Sequence, residues 1–268
     1  MAPDTYTHGH HASVLRSHSM RTVENSAAYL IPQLRPGRAV LDIGCGPGTI
    51  TLGLAERVAP GRVVGIDREA VPLASARTAV AEKGLTNVDF AVGDAYAPDF
   101  PDGSFDIVHA HQVLQHLTDP VAALVEMRRV CRPGGIVAVR DADYAAMTWH
   151  PANPRLDRWL DVYHRVARHN QAEPDAGRRL RSWALAAGFT ELTCTASAWC
   201  YASDDERAWW ADTWAQRVTE SALAEQAVAV GISTPDELAD IAAGWRAWAD
   251  EPDAWFAVLN AEVVAIAP

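Results

Sequence analysis

The chain has 268 residues, of which 49% are hydrophobic and 21% are charged, a balance typical of a globular protein with a full core. No apolar run approaches the roughly 20 residues of a membrane-spanning helix. The polar N-terminus has no apolar signal core, so we predict a cytoplasmic protein without a membrane partner. The net charge is −11, and residues 201–268 supply most of it, with thirteen acidic residues against three arginines. No basic stripe is present to neutralise phosphates, which disfavours a nucleic-acid partner.

Strand and helix patterns alternate from residue 38 onward, which predicts βαβ units and a parallel sheet. Helix signals lie between the strands: Gly84 predicts a helix end, and Asp119 before Pro120 predicts a helix start. Capping boxes at Ser203 and Thr234, each with Glu three residues later, predict two helices before the last strand. Strands are predicted at Ala39–Ile43, Arg62–Ile66, Val88–Val92, Phe105–Ala110, Ile136–Val139, Phe189–Tyr201 and Trp255–Ile266.

A glycine-rich loop follows the first predicted strand. The run Val40–Gly48 ends a strand in an acidic residue and then places glycines at alternate positions. Glycine lets the backbone approach a ligand, and the N-terminus of the next helix favours anionic or electron-rich groups. A dinucleotide fingerprint needs G-x-G-x-x-G, but Thr49 occupies the place of its third glycine. The spacing therefore disfavours a nicotinamide cofactor, and a tight strand-to-helix turn is the simpler alternative.

Five segments follow one another in a characteristic order: Val40–Gly48, Val64–Asp67, Val92–Ala95, Phe105–Val108 with Val113–Leu117, and Arg132–Gly135. Together they resemble class I S-adenosylmethionine-dependent methyltransferases of the small-molecule type, which include quinone-precursor methylases. The resemblance implies an α/β fold with a Rossmann-like seven-stranded sheet, in the order 3-2-1-4-5-7-6 with strand seven antiparallel, and helical cap insertions. It divides the chain into an N-terminal helical segment (1–36), a cofactor-binding core (37–142) and a C-terminal part with the cap (143–268).

The resemblance also assigns residues to S-adenosyl-L-methionine. The loop backbone would cradle the methionine portion and the ribose, through Gly44, Cys45, Gly46 and Gly48. Asp67, with Arg68 beside it, would accept the ribose hydroxyls at the end of the second strand. The alternative for Asp67 is a helix N-cap, and both roles are compatible.

Further cofactor contacts are expected at three places. Asp94 would bind the adenine amino group and Ala95 would offer its backbone N–H, while an Asx turn is the alternative for Asp94. Asp42 would lie near the cofactor's ammonium group, and bracing of the loop is an equal alternative. Resembling enzymes fold their N-terminal segment over the cofactor, where Arg21 suits its carboxylate.

Histidines are the candidate catalytic residues. His111 follows the fourth strand and would lie closest to the sulfonium, as a cofactor contact and as a general base or substrate-orienting group; His116 is the second candidate. Packing is the alternative for both. The histidines of the N-terminal segment have no matching carboxylate or cysteine pattern, so we predict no metal site there; they are His8, His10, His11 and His18.

All ten tryptophans lie after residue 148. One interpretation is an aromatic lid over an apolar, aromatic or cationic acceptor, with two or three tryptophans lining the cavity. The alternatives are packing of helices on the sheet and a dimer interface.

The function predicted from sequence is methyl transfer from S-adenosylmethionine to an O, N or C nucleophile of a small molecule. Specialised or quinone-type metabolism is the expected setting, S-adenosyl-L-homocysteine is the expected product, and the protein is expected to be a monomer or homodimer. The main alternative is a protein that binds this cofactor but catalyses another reaction or has a regulatory role.

Overall fold

A mixed sheet forms the centre of the protein. The computed structural model describes residues 4–7, 9 and 12–268. Five strands follow the predicted βαβ pattern, and three more extend the sheet at the C-terminal side. The strands are β1 (Val40–Ile43), β2 (Val63–Asp67), β3 (Val88–Val92), β4 (Phe105–His111), β5 (Cys131–Ala142), β6 (Thr148–His150), β7 (Leu192–Tyr201) and β8 (Trp255–Ile266).

Ten α-helices of the described residues pack around this sheet. Gly84 ends α4 in the left-handed conformation at φ +65°, and Asp119 caps α5 by accepting from Ala122 N–H. The capping boxes predicted at Ser203 and Thr234 are both present. The helices are α1 (Ala12–Ser19), α2 (Val23–Ser26), α3 (Thr49–Val58), α4 (Ala70–Lys83), α5 (Pro120–Val130), α6 (Pro154–His169), α7 (Leu180–Ala186), α8 (Asp204–Glu220), α9 (Ala222–Ala229) and α10 (Pro235–Ala249).

The strand order confirms the predicted topology. The sheet runs β3-β2-β1-β4-β5-β8, and β7 pairs with β8. Neighbouring strands from β3 to β5 are parallel, whereas β8 is antiparallel to both β5 and β7. The short β6 was not predicted. It pairs with the start of β8 beside Trp255–Ala257, because β8 extends beyond its overlap with β5.

The prediction of two helices between the last long strands is wrong, because three are present. Helix α8 ends at Glu220, and α9 begins after Ser221. The Ser221 hydroxyl donates to the carbonyl of Arg217 and accepts from the Leu223 N–H, so it closes one helix and caps the next. No proline or glycine marks this break in the sequence.

The aromatic residues form a core of their own in the C-terminal part. Trp159 and Trp245 are completely buried, and Trp159 lies edge-on to Trp214 with ring centroids 4.5 Å apart. Helices α6, α8 and α10 supply most of this cluster, which packs against Phe256 of β8. The tryptophans at the centre of this cluster are therefore packing residues, as the first alternative predicted. Among the described residues, no helix is both long and apolar enough to cross a membrane.

Candidate functional site

A cavity of about 190 Å³ lies at the carboxyl edge of the sheet, where β1, β2 and β4 end. Ligands of open α/β sheets bind at this edge. The cavity gathers side chains and backbone from segments far apart in the sequence. Almost every site residue predicted above lines it, namely Arg21, Asp42, Gly44, Cys45, Gly46, Asp67, Arg68, Asp94, Ala95, His111 and His116.

The glycine loop has the backbone conformation that its sequence predicts. Gly44, Gly46 and Gly48 lie at φ +68°, +53° and +79°, where other residues are strained. A Cβ on Gly44 would come within 2.4 Å of Val113 Cγ2, whereas one on Gly46 would meet only a His18 ring nitrogen at 3.9 Å. The loop thus leaves bare backbone facing the cavity.

Gly48 differs from the other two loop glycines because it does not line the cavity. It stands at the N-cap of α3, and a Cβ there would approach the Phe90 ring to 2.7 Å. This position shapes the loop and its packing. The contact predicted for Gly48 is therefore not supported by its place in the fold.

Asp67 joins the end of β2 to the glycine loop. Its Oδ2 accepts from Gly46 N–H at 2.9 Å and its Oδ1 accepts from Glu69 N–H at 3.0 Å. A carboxylate oxygen can accept more than one hydrogen bond, so both oxygens of Asp67 retain capacity for a ligand. Glu69, not Asp67, is the N-cap residue of α4.

Asp42 of β1 connects the glycine-loop region to its neighbours through two contacts of its carboxylate. Its Oδ2 accepts from the Thr51 hydroxyl at 2.6 Å, and its Oδ1 lies 2.7 Å from His109 Nδ1. Asp42 and His109 are almost completely buried. The geometry favours the bracing alternative for Asp42, since its carboxylate is almost completely buried, unlike that of Asp67, and both of its oxygens are engaged by internal groups.

Asp94 forms an Asx turn beside the cavity. Its Oδ1 accepts from Tyr96 N–H at 2.9 Å, which leaves Oδ2 for another partner. Ala95 lines the cavity next to it. Both interpretations of Asp94 are thus compatible with its position.

The N-terminal segment covers this edge of the sheet. Asp4 Oδ1 accepts from Thr118 N–H at 2.9 Å, and the Thr49 hydroxyl donates to the carbonyl of His18 at 3.2 Å. Arg21 reaches inward and donates to the Gln112 side chain. Tyr6 also lines the cavity, while His11 lies outside the described residues.

A second cavity of about 670 Å³ adjoins the first. Helix α8, strand β7 and the N-terminal segment form most of its wall. Tyr201 stacks on Trp210 with ring centroids 4.3 Å apart, which gives the wall a flat aromatic face. Its aromatic lining is Tyr6, Tyr144, Trp199, Tyr201, Trp209, Trp210 and Trp214.

The two cavities meet at a common set of side chains. This junction lies beside the end of β4, where Gln112 adopts the left-handed conformation at φ +53°. Its side chain accepts from Arg21 and donates to Asn260 Oδ1 at 3.2 Å. The shared residues are Tyr6, His18, Arg21, Gln112 and His116.

Both candidate histidines are electrically neutral at physiological pH. Burial, followed by the nearby cations Arg21 and Arg140, holds the pKa of His111 well below its usual range. Burial and Arg21 lower the pKa of His116 to about 3. Neither ring nitrogen of His111 has a hydrogen-bond partner among the described residues. Such rings accept protons poorly, but His111 can hydrogen-bond a bound ligand.

Asp141, at the end of β5, supports the loop that carries His116. It is completely buried, and its Oδ1 accepts from Gln115 N–H at 3.2 Å. Burial raises its pKa to about 7, although backbone N–H groups of Gln115 and Leu114 oppose the shift. The folded chain therefore holds a proton that the unfolded chain releases near pH ~4.

We expect Asp141 to make unfolding pH-dependent. As pH rises from about 4 to about 7, its contribution to the free energy of unfolding falls by up to about 1.4 kcal/mol per pH unit. In Asp141→Asn this component is absent, so the stability difference between wild type and variant should change over that range and level off above it. Urea unfolding at several pH values measures this, with the exposed Asp89→Asn as control. A constant difference between pH 4 and 7 would refute the buried titration.

Sequence reasoning missed several polar residues of the second cavity. Arg217 is buried in the middle of α8, and no sequence motif marks it.

Among the described residues, no group of three or more His, Cys, Asp or Glu side chains could hold a metal ion. His8 and His10 fall outside those residues.

Comparisons with known proteins agree with this architecture. A family model described as a methyltransferase domain matches residues 34–212, more than half of the chain. An uncharacterised methyltransferase of Schizosaccharomyces pombe is 34% identical, over 97% of this chain and 95% of that protein. The solved YcgJ protein of Bacillus subtilis has a similar fold, with a TM-score of 0.60 at 21% identity over 90% of this chain and 97% of that one. The [4+2]-cyclase SpnF matches with a TM-score of 0.52 at 25% identity, over 93% of this chain and 79% of that one. The chain belongs to the class I S-adenosylmethionine-dependent methyltransferases.

Proposed function

We propose that this enzyme binds S-adenosylmethionine in the first cavity and transfers its methyl group to a small molecule held in the second. The observation that carries the proposal is that a glycine-loop cavity meets an aromatic cavity at one set of side chains. When bound, the cofactor supplies a methyl group that is already activated by its sulfonium. The protein's task is then to position the two reactants and to exclude water.

The residues of the first cavity fit this cofactor in three ways. The backbone of Gly44 and Gly46 faces the cavity without side chains. The carboxylate of Asp67 has capacity for the ribose hydroxyls, and Asp94 with Ala95 is available to the adenine. Arg21 has no carboxylate partner among the described residues, so its guanidinium is suited to the cofactor's carboxylate.

Positioning is the role we assign to the candidate catalytic histidines. His111 would orient a reactant through its unpartnered ring nitrogens, and His116 would shape the junction by packing edge-on against Tyr6. Neither is basic enough to remove a proton efficiently from a weakly acidic acceptor. The arrangement therefore suits an acceptor that reacts without losing a proton to the protein.

The acceptor's nucleophilic atom in this proposal is oxygen, nitrogen or carbon. We retain a small-molecule acceptor as the proposal, with quinone-type or specialised metabolism as its expected setting. The cytoplasmic location and the choice between monomer and homodimer also stay predictions.

Transfer of an isotopically labelled methyl group tests the proposal. The enzyme is incubated with methyl-labelled S-adenosylmethionine and a panel of phenols, quinols, amines and keto acids, and the products are read by mass spectrometry. We expect label in a panel member together with S-adenosylhomocysteine. Conversion of a panel member without gain of label, with the cofactor bound, would favour the alternative of non-methylating catalysis. That alternative has a reason to be tested, because one structure with this fold bears the name of a cyclase.

A further inference from the structure

Arg217 is a buried cation at the wall of the second cavity. Only 5% of its surface is exposed. Its Nη2 donates to the Ser17 hydroxyl and lies 3.5 Å from the carbonyl of Ser13, and its guanidinium faces the Trp214 ring at 5.0 Å. Its Nε has no hydrogen-bond partner among the described residues. Every one of these contacts is with an uncharged group.

No carboxylate neutralises this guanidinium. The described residues include every Asp and Glu of the chain, and none of them forms an ion pair with Arg217. The titratable groups with the largest effect on its pKa are phenols, and burial raises the pKa of each, so all are neutral at pH 7. They are Tyr144, Tyr6, Tyr163 and Tyr201. A second buried cation, Arg21, also lines this cavity and repels Arg217. An unpaired buried charge is costly, and a bound anion would remove that cost.

The acidic residues of the cavity lie at its other end. Asp205 and Glu206 are exposed in the first turn of α8. Arg217 follows Asp205 by twelve residues on the same helix, a separation of about 18 Å along its axis. Glu206 is also occupied, since it accepts from the N–H groups of Ala202 and Ser203. The charge of the cavity is therefore positive inside and negative at one exposed end.

We propose that the methyl acceptor is a planar aromatic or conjugated molecule that carries an oxyanion, and that Arg217 is the counterion of this group. The proposal rests on the proposed function, because it names the substrate class of the same site. The aromatic wall supplies the surface for the flat body, and the guanidinium supplies charge-assisted hydrogen bonds to the oxygen. This anionic acceptor takes the place of the cationic acceptor, which was one possibility from the sequence alone.

An anionic acceptor is also compatible with the low basicity of the two candidate histidines, His111 and His116. An electron pair of the acceptor, either a lone pair of the anionic oxygen or the delocalised π pair at a conjugated carbon, forms the new bond to the methyl carbon as the carbon–sulfur bond breaks. The electron pair of the broken bond stays on sulfur, so the positive and negative charges cancel. With an oxygen nucleophile no proton moves. With a carbon nucleophile, the methylated carbon afterwards loses its proton to solvent water, and the C–H electron pair restores the conjugated system and its oxyanion. Neither the neutral His111 nor the neutral His116 has to act before the methyl group is transferred.

Ligand binding tests the inference without catalysis. The enzyme saturated with S-adenosylhomocysteine is titrated with 2-naphthoate, its neutral amide 2-naphthamide and the cation 2-naphthylmethylammonium. Quenching of tryptophan fluorescence is the readout, because four tryptophans line the cavity. We expect 2-naphthoate to bind about tenfold more tightly than the amide, as for a charge-assisted hydrogen bond.

Variants of Arg217 separate a counterion from a structural residue. Arg217→Gln should weaken 2-naphthoate binding by about tenfold and leave the amide unchanged, and Arg217→Lys should retain part of the preference. Arg207→Gln is the matched control, since Arg207 is buried on the same helix but does not line the cavity. Equal weakening of all three ligands in Arg217→Gln, or a wild-type preference for the cation, would overturn the proposal.

Two further readouts keep the test decisive. If Arg217→Gln does not fold, the wild-type ligand series and Arg217→Lys decide the question. Affinity for S-adenosylhomocysteine is measured in the same samples. If the wild type binds S-adenosylhomocysteine but does not prefer 2-naphthoate, only this inference is refuted. If the wild type does not bind S-adenosylhomocysteine, the proposed function is refuted.

Discussion

Gly44→Ala is expected to weaken S-adenosylmethionine binding by about 5- to 30-fold, because alanine in the left-handed conformation costs about 1–2 kcal/mol and the loop relaxes away from the conformation that binds the cofactor. The glycine lies at φ +68°, and an added Cβ would approach Val113 Cγ2 to 2.4 Å, so the loop must also shift. Isothermal titration calorimetry measures the loss. Combining Gly44→Ala with Val113→Ala should recover part of the affinity, since the clash is removed and the backbone strain remains.

Gly84 provides the matched control for this substitution. It lies at φ +65°, at the end of α4, and an added Cβ would meet nothing within 4 Å. Gly84→Ala should therefore lower stability through the same backbone strain and leave cofactor affinity intact. Wild-type affinity in Gly44→Ala would contradict the assignment of the loop to the cofactor.

Asp67→Ala is expected to reduce cofactor affinity by about 1–3 kcal/mol, roughly 5- to 150-fold, as for the loss of a buried hydrogen-bonding partner. Two effects contribute, because Asp67 would accept hydrogen bonds from the ribose hydroxyls and already accepts one from Gly46 N–H. Asp67→Asn separates these two effects. Its amide oxygen can still accept the hydrogen bond from Gly46 N–H, but its NH₂ group cannot accept a hydrogen bond from a ribose hydroxyl.

Calorimetry on the two Asp67 variants decides between the roles. We expect Asp67→Asn to bind the cofactor with an affinity between those of wild type and Asp67→Ala. The exposed Asp89→Asn is the control for loss of one negative charge. Unchanged affinity in Asp67→Ala would refute the ribose assignment, and unchanged affinity in Asp67→Asn alone would reduce Asp67 to a brace of the loop.

The residues that line the glycine-loop cavity were predictable because its parts are local. Each strand that reaches it ends in a polar residue or a glycine turn, so Asp67 and Asp94 could be placed from strand ends alone. The individual roles were less accessible. Gly48 looks like its two neighbours in sequence, yet it packs against Phe90 behind the loop. Asp42 is engaged by Thr51 and His109, and only the three-dimensional pairing of β1 with β4 brings His109 there.

The sheet was predicted more accurately than its C-terminal connections. Long strands and capping boxes carry strong periodic or positional signals, and the order of the sheet follows from the family resemblance. The three residues of β6 are too few for an alternating pattern, and they pair only because β8 is long. The break before α9 depends on the single hydroxyl of Ser221 within an otherwise helical stretch.

The aromatic cavity was foreseen only in outline. The clustering of tryptophans predicted a lid, but not which of them face a ligand. Four line the cavity, slightly more than expected, while others such as Trp159 and Trp245 fill the core. The charge of Arg217 inside the cavity results from the packing of α8 against the N-terminal segment, about 200 residues away in the chain. No local pattern records a contact of that kind.

A crystal structure of the complex with S-adenosylhomocysteine tests the central claim most directly. The account predicts the ribose on Asp67, the adenine beside Asp94 and Ala95, and the sulfur at the junction near Gln112 and His111, facing the aromatic cavity. Binding of the product outside the glycine-loop cavity, or with its sulfur directed away from the aromatic cavity, would contradict the account.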